Sequence, residues 1–459
     1  MTPYEYYTYN FPFEALAQLA TAGNNDPLCH REFAIEGDYY KRYIEAKSAA
    51  SLRAMILEMK SLRSIHIGAV FSNGPSLARK GLSVPTRREL IIDLDLTDYE
   101  FLDLKTRDGE GNEIVDLEAC DAAWPFAAIG IFLLRWMLRE QFGYERVLVV
   151  YSGRRGAHLW VLDERAMRSS DEVRASVASF VNLGLTKDQK RATPQMLKFV
   201  DTYELWDVVE HAFLELIVDS DYLDNFANLD EFVERLGLNH DAFRNMADDA
   251  SVRDSTSGMW TYIHEKVHDT AKRAGQAWIV DRLRETMLAY VWPRIDFNVT
   301  KAVNHLIKCP YVAHPKTGRI AVPIDPDDYW RFDPRTAPTL GDLGKDWAKR
   351  ADVLRWVAHD PPRLPDPGRG KPRRVRRGPA QSPVRPTGTT ETTGTMDIEE
   401  LAGPSSVTAP APAPAPSPAL GIPVPRRTGY TRKISPLAVV AAPPENARAH
   451  EPMATSDSD

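Results

Sequence analysis

The run ELIIDLD at residues 89–95 places two carboxylates, Asp93 and Asp95, two positions apart in an apolar segment. Alternate residues of a β-strand face the same side of the sheet, so we expect the two side chains to project together. Hard oxygen ligands of this kind hold Mg²⁺ or Mn²⁺, and a pair of such ions can clamp the attacking and leaving oxygens of a phosphoryl transfer. A D-x-D pattern also arises by chance at strand ends that face solvent, so alone it is a weak signal.

A second candidate segment is YSGRRGAHLW at residues 151–160, where a strand leads into a turn with two glycines and two arginines. Glycine lets the backbone approach a ligand closely, and guanidinium groups suit phosphate oxygens. His158 follows on the next strand, on the same face as Trp160. The pattern predicts a phosphate-binding turn, with an ordinary exposed basic hairpin as the alternative.

The third segment, residues 294–319, carries Asp296 in an apolar, strand-like run. An unpaired carboxylate there would be costly, and either a metal ion or a buried partner such as Arg294 would relieve the cost. Further along the segment, Lys308, His314 and Arg319 could supply cations to a triphosphate, or could simply be loop surface.

The elements that must position these residues can be read from periodicity. Short apolar runs predict strands at residues 64–71, 89–96, 146–151 and 157–162. Helical spacing predicts a helix at residues 125–142, which gives a strand–helix–strand unit. The class is therefore α/β, in the broad sense that includes α+β.

The pattern becomes helical from about residue 170 to 290. A stripe of apolar residues at three- to four-residue spacing indicates a helix packed on a core, and it consists of Trp278, Ile279, Leu283, Met287 and Val291. We predict a helical subdomain (171–290) inserted between two parts of one catalytic lobe (1–170 and 291–345).

Residues 361–459 differ from the rest, with 20 of the 34 prolines and a single aromatic residue. Such a segment cannot bury enough apolar surface to offset its ordering entropy, and we predict that it is disordered. Its basic cluster, residues 371–377 (KPRRVRR), fits a solvated charge run, a nuclear-import signal or a nonspecific nucleic-acid contact.

Composition excludes several classes of protein. No run approaches the ~18 apolar residues of a membrane-spanning helix, and the first residues lack the features of a secretory signal. Three cysteines are too few for a disulfide framework, so a reducing, intracellular location is expected. The first 360 residues hold 44 basic and 55 acidic groups, a net charge of −11. Any nucleic acid must therefore be bound through local basic patches and metal ions.

Together the segments resemble the small, catalytic subunit of archaeal and eukaryotic DNA primase, within the archaeo-eukaryotic primase superfamily. The resemblance covers roughly residues 4–340 and is closest to the eukaryotic form. The motifs that carry it are ELIIDLDLTDY (89–99), SGRRGAHLW (152–160) and HPKTGRIAVPID (314–325). It implies the primase catalytic fold, with a mixed β-sheet core flanked by helices.

The resemblance also implies roles for individual residues. The catalytic divalent ions, Mg²⁺ or Mn²⁺, would be held by Asp93, Asp95 and Asp296. The nucleotide would be bound by Arg42, Ser152, Arg154, Arg155, His158, Lys308 and His314. Glu32 matches a further motif position, and one role for it is to orient Arg42.

The sequence departs from the family pattern between the D-x-D strand and Trp124. Family members commonly carry clustered cysteines there that bind zinc, whereas residues 100–124 contain Cys120 alone. One thiolate cannot complete a tetrahedral zinc site, and we predict no structural zinc.

The implied activity is synthesis of RNA primers on a single-stranded DNA template from NTPs, by two-metal-ion nucleotidyl transfer. Implied partners are the primase large subunit and a replicative polymerase, without a membrane, in the nucleus. The same residues would serve a primase-polymerase that prefers dNTPs in repair or in viral or mobile-element replication. A noncatalytic nucleic-acid-binding subunit that retains the fold is the third alternative.

Overall fold

The computed structural model describes residues 1–21, 27–182, 192–220, 222–237, 256–325 and 329–345. The predicted disordered tail and its basic cluster lie outside the described residues. Within them, all three cysteines are free. No helix in these ranges has the length and apolar character that crossing a membrane requires.

Two sheets, a small hairpin and many helices make up the described chain. The strands are β1 (Arg31–Glu36), β2 (Tyr40–Ile44), β3 (Ser64–Phe71), β4 (Pro85–Arg87), β5 (Leu90–Asp95), β6 (Lys105–Arg107), β7 (Glu113–Val115), β8 (Val147–Tyr151), β9 (Gly156–Val161), β10 (Ile307–Lys308) and β11 (Pro323–Ile324). The helices of the first half are α1 (Pro3–Tyr9), α2 (Phe13–Thr21), α3 (Ala49–Leu57), α4 (Leu117–Ala122), α5 (Trp124–Phe142), α6 (Glu164–Met167) and α7 (Asp171–Asn182). Those of the second half are α8 (Pro194–Thr202), α9 (Trp206–Phe213), α10 (Phe226–Leu236), α11 (Thr256–Ala274), α12 (Trp278–Val291), α13 (Phe297–Lys301) and α14 (Leu340–Lys345).

Every strand pairing described is antiparallel. One sheet has the order β10–β3–β1–β2, with β4 also paired to β3, and the other has the order β11–β8–β9–β5. β6 and β7 form a separate hairpin. Helices and antiparallel sheets together confirm the predicted α/β class.

The predicted strand–helix–strand unit is present in a split form. β5 and β8 run in the same direction because each pairs antiparallel with β9, which lies between them. α5 connects them, beginning at Trp124 and ending where Gly143 adopts a φ of +64°. Gly130 lets α5 approach β5, because a Cβ there would lie 2.5 Å from the Leu94 side chain.

Residues 171–291 are helical where the structure describes them, as predicted. In the apolar stripe of α12, Ile279, Leu283, Met287 and Val291 are buried, whereas Trp278 is 49% exposed. The chain then returns to both sheets, since Ile295 bridges to Leu94 and β10 pairs with β3. The domain boundaries themselves stay predictions.

The segment around Asp296 differs from the strand expected there. Only Ile295 forms a β-bridge, and residues Phe297–Lys301 turn into the short helix α13. Asp296 is the N-cap of that helix, and its side chain accepts a hydrogen bond from the Asn298 N–H at 2.8 Å. Aspartate favours this position because its carboxylate satisfies a backbone donor that has no helical partner.

Candidate active site

The candidate site is built where β5 and β9 pair. Asp93 lies directly opposite His158 in the register, so the two side chains share one face of the sheet. Their Oδ1 and Nε2 atoms are 3.6 Å apart. Burial, followed by the charges of Lys308 and Arg88, lowers the pKa of His158 to about 3. The imidazole is therefore neutral at physiological pH.

Asp95 ends β5 and is held by its own loop. Its Oδ1 accepts hydrogen bonds from the N–H and the hydroxyl of Thr97, at 2.9 and 2.8 Å. Its Oδ2 accepts one from Arg155 Nε at 2.8 Å. The threonine of the D-x-D-x-T motif thus orients the second aspartate.

Asp296 is brought to the same place from 200 residues further along the chain. Its N–H donates to the Asp93 carbonyl at 2.9 Å, beside the Leu94–Ile295 bridge. The α13 helix that it caps is tied to β5 by the Thr300 hydroxyl, which donates to the Ile91 carbonyl at 2.8 Å. Tertiary structure thus brings Asp296, which the family resemblance groups with Asp93 and Asp95, beside β5.

Electrostatics mark Asp93 as the most perturbed of these acids. Its pKa is raised to about 7, first by desolvation and then by the charges of Asp95, Asp296 and Asp98. A carboxylate in this position gains from any cation that binds between the acids. Perturbed acids gathered in a cleft are also typical of catalytic sites.

The turn at residues 152–156 carries two arginines, Arg154 and Arg155, that line the cleft together with the acids. Gly153 has a φ of +85°, and the Ser152 hydroxyl accepts from the Arg155 N–H at 3.4 Å. Arg155 pairs with Asp95, whereas Arg154 pairs with no carboxylate in the described part of the chain. Arg154 is therefore available to an anionic ligand.

Gly156 is required for the close approach of β9 to β5. A Cβ at this position would lie 1.9 Å from the Leu94 carbonyl oxygen. We expect Gly156→Ala to cost about 3 kcal/mol of unfolding free energy or more, because the backbone must shift to relieve the overlap. Chemical denaturation checks this, with Gly109→Ala as the control, since a Cβ at Gly109 meets nothing within 4 Å. Equal stability of the two variants would contradict the expectation.

Lys308 and His314 complete the basic side of the cleft. Lys308 lies opposite His66 in the β10–β3 pairing, and burial lowers its pKa to about 8. Burial and the charges of Lys308, Arg154 and Arg155 lower the pKa of His314 to about 3. One cation near its titration range and one neutral imidazole therefore face the acids.

These side chains line one cleft of about 140 Å³. Its lining consists of Asp93, Leu94, Asp95, Ser152, Arg154, Arg155, Gly156, His158, Lys308 and His314. Eight of these residues were predicted from sequence, while Leu94 and Gly156 were not, because strand packing rather than motif chemistry places them there. Asp296 and Arg42, also predicted, lie outside this lining.

Arg42 is oriented by Glu32 on the neighbouring strand. Its Nε donates to Glu32 Oε1 at 2.9 Å and its Nη2 to Oε2 at 3.1 Å. The same Nη2 donates to the Asn304 carbonyl at 3.3 Å. The orienting role considered for Glu32 therefore matches this geometry.

Arg319, considered from sequence as a triphosphate cation, is paired elsewhere. Its guanidinium makes two hydrogen bonds to Asp121, at 2.6 and 2.7 Å, and a third to the Tyr151 hydroxyl at 3.2 Å. Both charged side chains are largely buried, and this ion pair ties Arg319 to α4, the helix that carries Asp121. The two partners lie 198 positions apart in the sequence, so no local pattern could predict this ion pair.

The donor set of the acids fits a hard divalent ion. Carboxylate oxygens such as those of Asp93, Asp95 and Asp296 are the ligands that Mg²⁺ and Mn²⁺ prefer, and desolvation, followed by the charges of Asp95 and Asp296, raises the pKa of Asp93. As the side chains stand, no three His, Cys, Asp or Glu residues in the described ranges are arranged to hold a metal ion. Asp95 is engaged by Arg155, and Asp296 by its helix.

Comparison with known proteins agrees with this geometry. A family model described as "DNA primase small subunit" matches residues 92–326, slightly more than half of the chain. The DNA primase small subunit of Schizosaccharomyces pombe is 30% identical over 74% of this chain and 76% of its own length. The chain belongs to the DNA primase small subunit family. The range matched by the family model begins inside β5 and contains every residue that lines the cleft.

Other primase small subunits show which branch of the family is more similar. That of Drosophila melanogaster is 28% identical over 74% of this chain and 79% of its own length. The small subunit from the archaeon Haloarcula marismortui is 26% identical over 44% of this chain and 53% of its own length. The similarity to eukaryotic primase small subunits is therefore the more extensive.

Proposed function

We propose that this primase small subunit synthesises RNA primers on single-stranded DNA from NTPs, by nucleotidyl transfer that depends on two divalent metal ions. One observation carries the proposal. The cleft sets the carboxylates of Asp93 and Asp95 against the cations Arg154, Arg155 and Lys308. Acids for metal ions and cations for phosphates are the two requirements of phosphoryl transfer.

Different residues of the site would bind the triphosphate and the metal ions. Arg154, Arg155 and Lys308 would bind the triphosphate, with the Ser152 hydroxyl and the neutral His314 ring as hydrogen-bonding groups. The 3′-hydroxyl of the preceding nucleotide then loses its proton to solvent as its oxygen forms a bond to the α-phosphorus, and the bond from the α-phosphorus to the bridging oxygen of the β-phosphate breaks to release pyrophosphate. The cations hold the reacting groups in line and offset the charge that develops on the leaving group.

Asp93, Asp95 and Asp296 would hold the divalent ions, Mg²⁺ or Mn²⁺. When bound, these ions make the 3′-hydroxyl a better nucleophile and offset the charge of the departing pyrophosphate. Arg155, which donates to Asp95, would contact phosphate oxygens where the divalent ions take over that carboxylate. His158, neutral and directly opposite Asp93, would contact the phosphates from the β9 side.

The partners follow from membership of this family. The proposal includes a single-stranded DNA template, a primase large subunit and a replicative polymerase complex, working in the nucleus. No zinc is expected in the chain, and this stays a prediction.

The test is unprimed synthesis on single-stranded DNA with Mg²⁺ or Mn²⁺, with NTPs and dNTPs offered separately. Asp93→Asn/Asp95→Asn serves as the inactive control. We expect RNA products that this variant does not make. Products made only from dNTPs would replace the proposal with a primase-polymerase.

If no product forms, nucleotide and metal binding distinguish the remaining cases. Binding of NTP and Mn²⁺ that is lost in the Asp93→Asn/Asp95→Asn variant would show an intact site that needs the large subunit. Absence of binding would support a noncatalytic subunit and overturn the proposal.

A further inference from the structure

Outside the cleft, two guanidinium groups contact the same aromatic ring. Arg42 Cζ lies 5.1 Å from the centroid of the Tyr43 ring, and Arg79 Cζ lies 5.3 Å from it. We call Arg42, Tyr43 and Arg79 the guanidinium–tyrosine stack. Such contacts stabilise a cation over a ring and hold the guanidinium plane in a defined place.

The backbone of Tyr43 is strained to make this arrangement. Its φ is +62°, which is uncommon for a residue with a bulky side chain. The strain coincides with the bulge at which the β1–β2 register shifts. Residues held in such conformations cluster at functional positions, because the surrounding structure must stabilise them.

Arg79 is carried by a loop that is anchored at both ends. The loop contains a 3₁₀ turn, Pro75–Lys80, that ends at Gly81 with a φ of +69°. Near its start, the Ser76 hydroxyl donates to Glu45 Oε2 at 2.9 Å, and beyond the turn the Ser72 N–H donates to the Val84 carbonyl at 2.9 Å. The position of Arg79 is therefore fixed by the fold.

Arg79 and Lys80 are two adjacent exposed cations on an acidic body. Neither forms an ion pair with a carboxylate in the described ranges, in contrast to Arg42, which is paired with Glu32. Guanidinium and ammonium groups without partners are suited to phosphate oxygens.

Arg42 connects the stack to the segment that follows α13. Arg42 donates to the Asn304 carbonyl at 3.3 Å. The pKa of His305, the next residue, is lowered by burial and also responds to the charges of Arg88, Asp296 and Arg42. The Tyr43 ring, which both guanidinium groups contact, in turn links Arg42 to Arg79.

We propose that Arg79 and Lys80, presented by the guanidinium–tyrosine stack, bind the phosphate backbone of the single-stranded DNA template outside the cleft. This inference rests on the proposed function. A single strand fits better than a duplex, because Arg79 is exposed and a guanidinium can stack on an unpaired base. A free nucleotide is the poorer fit, because neither residue lines the cleft that faces the acids.

The test measures the binding of a labelled oligothymidylate as a function of salt concentration. For single strands, each phosphate contact contributes about −0.7 to the slope of log K against log salt. For Arg79→Ser/Lys80→Ser we expect the slope to become shallower by about 1.4, twice that contribution. The control is Lys272→Ser/Arg273→Ser, which removes the same two residue types from the last turn of α11.

Three further readings decide the outcome. We expect the control variant to keep the native slope, and the affinity of Arg79→Ser/Lys80→Ser for NTP to be unchanged. An unchanged slope, an equal change in the control, or an equal loss on duplex DNA would overturn the inference. Failure of the native chain to bind the oligonucleotide at all would instead count against the proposed function.

Discussion

Asp93→Asn is expected to reduce nucleotide addition by about a hundredfold to a thousandfold, since one group that stabilises developing charge contributes on the order of 10²–10³. Asparagine keeps the shape of the side chain but removes the negative charge needed to hold a divalent ion. The measurement is steady-state synthesis with saturating Mn²⁺. Asp108→Asn, in the exposed hairpin loop, is the control and should keep native activity.

The same variant should not melt at a lower temperature. Because the folded pKa of Asp93, about 7, lies above its ordinary value of 3.8, the folded chain keeps its proton to higher pH than the unfolded chain does. The contribution of Asp93 to stability therefore falls as the pH rises from about 4 to 7, and it stays low above that range. At pH 8 without divalent ions, Asp93→Asn should melt at the native temperature or above it. Retained activity would refute the metal assignment, and a large drop in melting temperature would show a structural role for this carboxylate.

The second large effect is a loss of nucleotide affinity at alkaline pH. Burial lowers the pKa of Lys308 to about 8, so the amine loses its charge above that pH. If the charged amine binds the triphosphate, affinity should fall by up to roughly tenfold for each further pH unit, in proportion to the protonated fraction. Equilibrium binding of NTP between pH 7 and 9.5 measures this.

Lys308→Arg separates this effect from other titrations. A guanidinium stays charged throughout that range, so the variant should bind with a much flatter pH dependence. Lys308→Met should bind weakly at every pH. A native profile that Lys308→Arg reproduces unchanged would assign the titration to another group, such as Asp93.

The local sequence pattern was sufficient to predict most of the strands and helices around the site. The strand predicted at 64–71 has the observed bounds, and the helix predicted at 125–142 begins one residue earlier, at Trp124. Buried strands and amphipathic helices show clear periodicity, because burial of their apolar faces dominates their stability. The segment at Asp296 lacked a clear periodic pattern. In place of the expected strand it forms α13, whose first turn is capped by the Asp296 side chain.

Motif chemistry likewise predicted which residue types face each other. Asp93, Asp95, Arg154, Arg155 and His158 belong to two contiguous segments, and the alternation of side chains along strands gives their orientation. What the segments could not show was the pairing of Arg155 with Asp95, since that contact depends on the register of β5 against β9.

The sequence by itself determined the α/β class and the family to which the chain belongs, and it predicted most of the residues that line the candidate site. Tertiary structure alone decided which partners these residues take: the Asp296 N–H donates to the Asp93 carbonyl, Arg319 pairs with Asp121, and Arg42 and Arg79 both contact the Tyr43 ring. Local periodicity reports only on neighbours along the chain. Contacts between residues tens to hundreds of positions apart depend on sheet order and packing, which no local pattern records.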